Sequence, residues 1–83
     1  MRASKIVVYS RKDSICNVAD HFNENWLKAK NLHPATKVKS EVIKDASYDA
    51  IFVLEESGEP IFKLEGSLAL HLDRLQEFLI QIY

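Results

Sequence analysis

The chain has 83 residues, little more than half of the ~150 usual for one domain, and reads as a single domain over 1–83. Hydrophobic residues at 47% and charged residues at 28%, with two glycines and two prolines, exclude disorder, collagen-like repeats and low-complexity scaffolds. Eleven basic against twelve acidic residues leave a net charge of -1, so no overall field draws the chain to nucleic acid or an anionic membrane.

Ile6-Val7-Val8-Tyr9 is a β-branched, uninterrupted apolar run, the pattern of a strand buried on both faces. It gives way to the polar cluster Ser10-Arg11-Lys12-Asp13-Ser14, in which Asp13 or Ser14 can cap a following helix. Apolar residues then recur at helical spacing: Ile15, Val18 with Ala19, Phe22, Trp26 and Ala29. His33 precedes Pro34 and so disfavours the α conformation, which puts the helix end near Asn31-Leu32.

Lys37 to Lys44 carries Val38, Val42 and Ile43 among lysines, an edge strand guarded by charge. Ala50-Ile51-Phe52-Val53-Leu54 is a second apolar run and a central strand. Gly58 turns the chain into Pro60–Leu64 and Glu65, a hairpin partner whose Pro, Lys and Glu suit the other edge. Gly66 breaks that strand, and Ser67 can cap a last helix with the stripe Leu68, Leu72, Leu75, Leu79 and Ile82.

The order is therefore βαβββα. A right-handed crossover makes the first two strands parallel neighbours. Pairing the two apolar strands centrally predicts an α/β fold: a four-stranded mixed sheet in order 2-1-3-4 with both helices on one face. A ferredoxin-like arrangement shares part of this element order and differs in which strands flank the first.

This order, with Val8-Tyr9-Ser10-Arg11-Lys12-Asp13-Ser14-Ile15-Cys16 and the hairpin segment from Phe52 to Phe62, resembles the glutaredoxin-like branch of the thioredoxin superfamily. The resemblance implies a thioredoxin-like fold and a Cys-x-x-Cys motif between the first strand and helix. Here the motif is degenerate. One alignment puts Asp13 at the first cysteine and Cys16 at the second; the other puts Ser14 and Asn17 at the two positions. Neither a serine nor an aspartate supplies the attacking thiolate. The family's cis-proline before the third strand is also missing, since Tyr48-Asp49-Ala50 stands there. Dithiol oxidoreductase activity is not expected.

Two functions then stand side by side. One is a non-catalytic thioredoxin-like protein-binding module. The other is a one-cysteine redox protein in which Cys16 forms mixed disulfides or is glutathionylated. Placed in the first helical turn near Arg11 and Lys12, Cys16 is in reach of the helix dipole; its bland reading is a small hydrophobe packing with Val18 and Ala19. A single cysteine makes no internal disulfide and fits a reducing, cytoplasmic interior. No cofactor or metal is expected: His21, His33 and His71 are scattered, His21 reading as exposed beside Asp20 and His71 as solvated. No run approaches the ~18 apolar residues of a membrane span.

Relatives of this branch carry a further helix between the second and third strands, on the opposite sheet face. Here the connection, Lys44 to Asp49, is too short for one. One apolar face of the central strands, carrying Val7, Tyr9, Phe52 and Leu54 with Tyr48 beside it, or else the set Ile6, Val8, Ile51 and Val53, is left without a covering helix. Burying three such side chains is worth about 5 kcal/mol. The uncovered face is expected either to bind a protein partner or second copy, or to be covered by Met1-Arg2-Ala3, Tyr48 and the His33–Thr36 loop.

Overall fold

A computed structural model describes residues 3–13, 17–29 and 38–82. The elements run β1 (Lys5–Arg11), α1 (Val18–Ala29), β2 (Lys39–Ala46), β3 (Ala50–Leu54), β4 (Pro60–Glu65), a 3₁₀ turn (Gly66–Leu70) and α2 (Leu72–Ile82). The four strands form one sheet in the order β2-β1-β3-β4. β1 is parallel to β2 and antiparallel to β3, and β3 is antiparallel to β4. This is the predicted mixed sheet, with the charged strands at its edges.

Alternation along the strands divides the side chains between two faces. Ile6 lies opposite Val53, and Val8 opposite Ile51. These four are fully buried in one cluster with Phe22 and Trp26 of α1 and Leu72, Leu75 and Leu79 of α2. Both helices therefore cover the same face. Phe22 and Trp26 stack with centroids 5.4 Å apart, and Phe62 of β4 stacks on Phe78 of α2 at 4.5 Å.

β1 is longer than its apolar run. The backbone N–H of Arg11 donates to Asp49 Oδ1 at 2.8 Å, and Arg11 pairs with Ala46. Ser10 and Arg11 thus belong to the strand and not to the following loop. One extra residue of β2 sits between the Tyr9–Ile43 and Arg11–Ala46 pairs, a bulge that carries β2 on to Ala46. The expected start of β2 at Lys37 lies outside the described residues.

The start of α1 also corrects the expectation of a cap at Asp13 or Ser14. Asn17 is the cap. Its carbonyl accepts the N–H of His21 at 3.1 Å and its Oδ1 accepts that of Asp20 at 3.3 Å. With φ at 45°, it occupies the left-handed region in which asparagine is among the residues tolerated. The predicted end at Asn31-Leu32 falls outside the described residues.

α2 begins at Leu72, four residues after the predicted stripe starts. Gly66, at φ 60°, ends β4, and its N–H donates to Asp49 O at 2.8 Å. The 3₁₀ turn that follows touches α1, β3 and β4. Its buried residue is Ala69, whose small side chain lets the turn run close to the sheet, while Leu68 is 41% exposed. His21 is not exposed, as expected, but half-buried: its Nε2 donates to Leu70 O at 3.0 Å, so Nδ1 is left to accept from Asn25 at 3.3 Å. His71 is exposed, as expected.

Candidate functional site

Two places merit a functional reading, and both lie at β1. The first is the corner between the end of β1 and the start of α1, where the degenerate motif sits. Ser10 is buried, and its hydroxyl accepts the N–H of Ala19 at 3.3 Å. A cleft of about 220 Å³ opens beside it, lined by Ser10, Arg11, Lys12, Asn17, Asp20 and Lys44 among others. Its charges are mixed, with Arg11, Lys12 and Lys44 facing Asp20 and Asp45 across a small volume. Asp13 is exposed in the turn after β1. Ser14 and Cys16 lie outside the described residues. The described helix begins at Val18. Of the motif-equivalent positions, Asn17 has the role the structure defines: it caps α1. Among the described residues no three His, Cys, Asp or Glu side chains group as a metal site.

The second place is the sheet face turned away from the helices. Lys5, Val7 and Tyr9 point there from β1, Phe52 and Leu54 from β3, Glu41 and Ile43 from β2, and Lys63 and Glu65 from β4, by strand alternation. Directly opposed residues form rows across the sheet: Lys39–Lys5–Leu54–Pro60, then Glu41–Val7–Phe52–Lys63, then Ile43–Tyr9–Ala50–Glu65.

The structure brings Tyr9, Tyr48 and Phe52 together. The Tyr9 ring lies 5.2 Å from Tyr48 and meets Phe52 edge-on at 5.5 Å, the geometry the ring quadrupoles favour. Tyr48 is delivered by the three-residue β2–β3 connection and is 47% exposed. A hollow of about 320 Å³ between Tyr9, Tyr48, Phe52 and Leu54 has Val7 and Pro60 on its walls. A second hollow of about 520 Å³ shares Tyr48 and Phe52 and reaches Arg11, Asp49 and Glu65. The predicted cluster Tyr9, Tyr48, Phe52 and Leu54 is thus one continuous surface.

No family model, curated protein or solved structure matches this chain.

Of the covers considered from the sequence, Tyr48 does lie on this face. Ala3 instead packs into the core cluster beneath the helices. Met1, Arg2 and residues 33–36 are outside the described residues. Sequence reasoning missed the part played by Ser10 and Asp49. Both are short polar residues beside strand ends, and the one available signal was that such residues bond neighbouring backbone.

Proposed function

We propose that the chain is a non-catalytic, thioredoxin-like protein-binding module whose contact surface is the helix-free face of its sheet. What carries the reading is the patch of Tyr9, Tyr48, Phe52 and Leu54, which the described residues leave without a covering helix. Aromatic side chains that are half-buried and rimmed by charge are what protein interfaces favour at their centres. The sheet order and βαβββα succession support the thioredoxin-like assignment. A single cysteine in the sequence argues against dithiol exchange.

Two measurements test this. A photo-crosslinking side chain at Phe52 is expected to give a protein adduct, with a much smaller yield from the same group at Glu77, an exposed position on α2. Equal yields, or no adduct at Phe52, sink the binding face. A dithiol-reductase assay with and without Cys16→Ser is expected to show no Cys16-dependent turnover. Turnover lost in that variant would move the one-cysteine redox reading ahead.

A further inference from the structure

We infer that the helix-free sheet face is self-complementary and takes a second copy of this chain, on a two-fold axis running along the strands between β1 and β3. The inference rests on the protein-binding reading of that face and names its partner.

The middle row decides it. Across the sheet it reads Glu41, Val7, Phe52, Lys63: acidic, apolar, apolar, basic. A two-fold axis along the strands at the centre of this row lays β1 of one copy over β3 of the other, and β2 over β4. Glu41 then faces the partner's Lys63, the half-buried Phe52 ring faces the partner's Val7, which is only 6% exposed in the single chain, and both contacts occur twice, as an isologous interface requires. An axis across the strands through the same row would stack Glu41 on Glu41 and Lys63 on Lys63, which like-charge repulsion opposes.

In the flanking rows Tyr9 faces the partner's Ala50, which its own chain already buries fully, so that contact adds little area. The apolar stem of Lys5 lies over the partner's Leu54 and leaves its ammonium at the margin. Ile43 against the partner's Glu65 is the poor match, and it falls at the rim. Within one chain Glu41 is already paired with Lys5 at 2.5 Å and Lys63 with Glu65 at 3.2 Å, their side chains 45–62% exposed. In the pair of copies each ion pair gains a third member.

Sheets packed face to face keep their strands within about 30° of alignment, which holds the rows in register near the axis.

The test is sedimentation velocity on the purified chain over a wide concentration range. Expected is a species of twice 9.5 kDa whose dissociation constant rises several-fold between low and high salt. Glu41→Lys alone and Lys63→Glu alone should each weaken association by about tenfold or more, since each creates two like-charged contacts. The double variant restores opposite charges between the copies but sets like charges beside Lys5 and Glu65 within each chain, so it should associate more tightly than either single variant without reaching the parent. Circular dichroism confirms that each variant is folded, and the salt series on the parent needs no variant. A monomer at every concentration overturns the inference, and so does a dimer indifferent to salt and both single changes, or a double variant no better than the singles. If the chain is monomeric while the Phe52 crosslink still captures a different protein, the self-association falls and the protein-binding face stands. If no crosslink forms, the reading of the face itself falls.

Discussion

Ser10 and Asn17 divide between them the closing of the α1 N-terminus. The serine hydroxyl takes the N–H of Ala19 and the asparagine amide oxygen that of Asp20, so two helix donors without carbonyl partners are satisfied from outside the helix. The two bonds differ in setting. Ser10 is buried, and removing its hydroxyl strands a buried N–H; Ser10→Ala is expected to cost about 1–3 kcal/mol. Asn17 is exposed but holds a left-handed backbone, so Asn17→Gly should cost only a few tenths of a kcal/mol while Asn17→Ala costs about 1–2. Urea unfolding of the three variants gives these differences directly. An Asn17→Gly variant as unstable as Asn17→Ala would mean that the side-chain cap outweighs the backbone conformation. Asp49 works in the same way from the other side of the sheet, accepting from the N–H of Arg11 and so extending β1 past its apolar residues.

At the scale of elements, the turns around β4 depend on two glycines. Gly58 closes the β3–β4 hairpin at φ 88°, its N–H donating to Glu55 O at 2.9 Å, and Gly66 ends β4 at φ 60°. A Cβ at either position meets nothing within 4 Å. The cost of substitution is therefore backbone strain and not crowding. Gly58→Ala and Gly66→Ala are each expected to lower stability by about 1–2 kcal/mol, and Gly66→Asn by clearly less. Thermal or urea denaturation checks the ranking; equal losses for Ala and Asn at Gly66 would point to some other cause.

β3, β4 and both edge assignments were legible in the sequence, because their apolar residues, charges and turn glycine all agree. The helix starts were not. A polar cluster such as Ser10 to Ser14 offers several caps of similar quality, and which one is used depends on where the strand lets go of the chain. Asp49 sets that point from 38 residues away in the sequence. The Leu68 stripe misled for a related reason. Helical spacing continues through the 3₁₀ turn, but the close approach to the sheet fully buries only Ala69 of its residues. The aromatic patch was readable as residues with period-two spacing. Which face it occupied needed both helices in place.

For the whole molecule, the β2–β3 connection of three residues fixes the architecture at two layers. It also bears on the order in which the chain assembles. β3 and β4 are joined by the Glu55–Glu59 turn, with Glu55 N–H donating to Glu59 O at 3.0 Å, so their pairing closes a very short loop. The parallel β1–β2 pairing requires the whole crossover through α1 to be organised first, at a larger loop-closure cost. The β1–β3 pairing closes a longer stretch still, from Arg11 to Ala50, so a nucleus built on the β3–β4 hairpin is the expected result. Leu64→Ala in β4 should therefore slow refolding, whereas Val42→Ala in β2 should mainly hasten unfolding, as stopped-flow chevrons will show. The opposite assignment would place the crossover in the nucleus. As an edge strand with no fully buried residue, β2 is the first to leave. Its departure bares the β1 edge, which makes brief excursions of this one strand the route by which the native sheet would be exposed to proteases and to misplaced strand pairing.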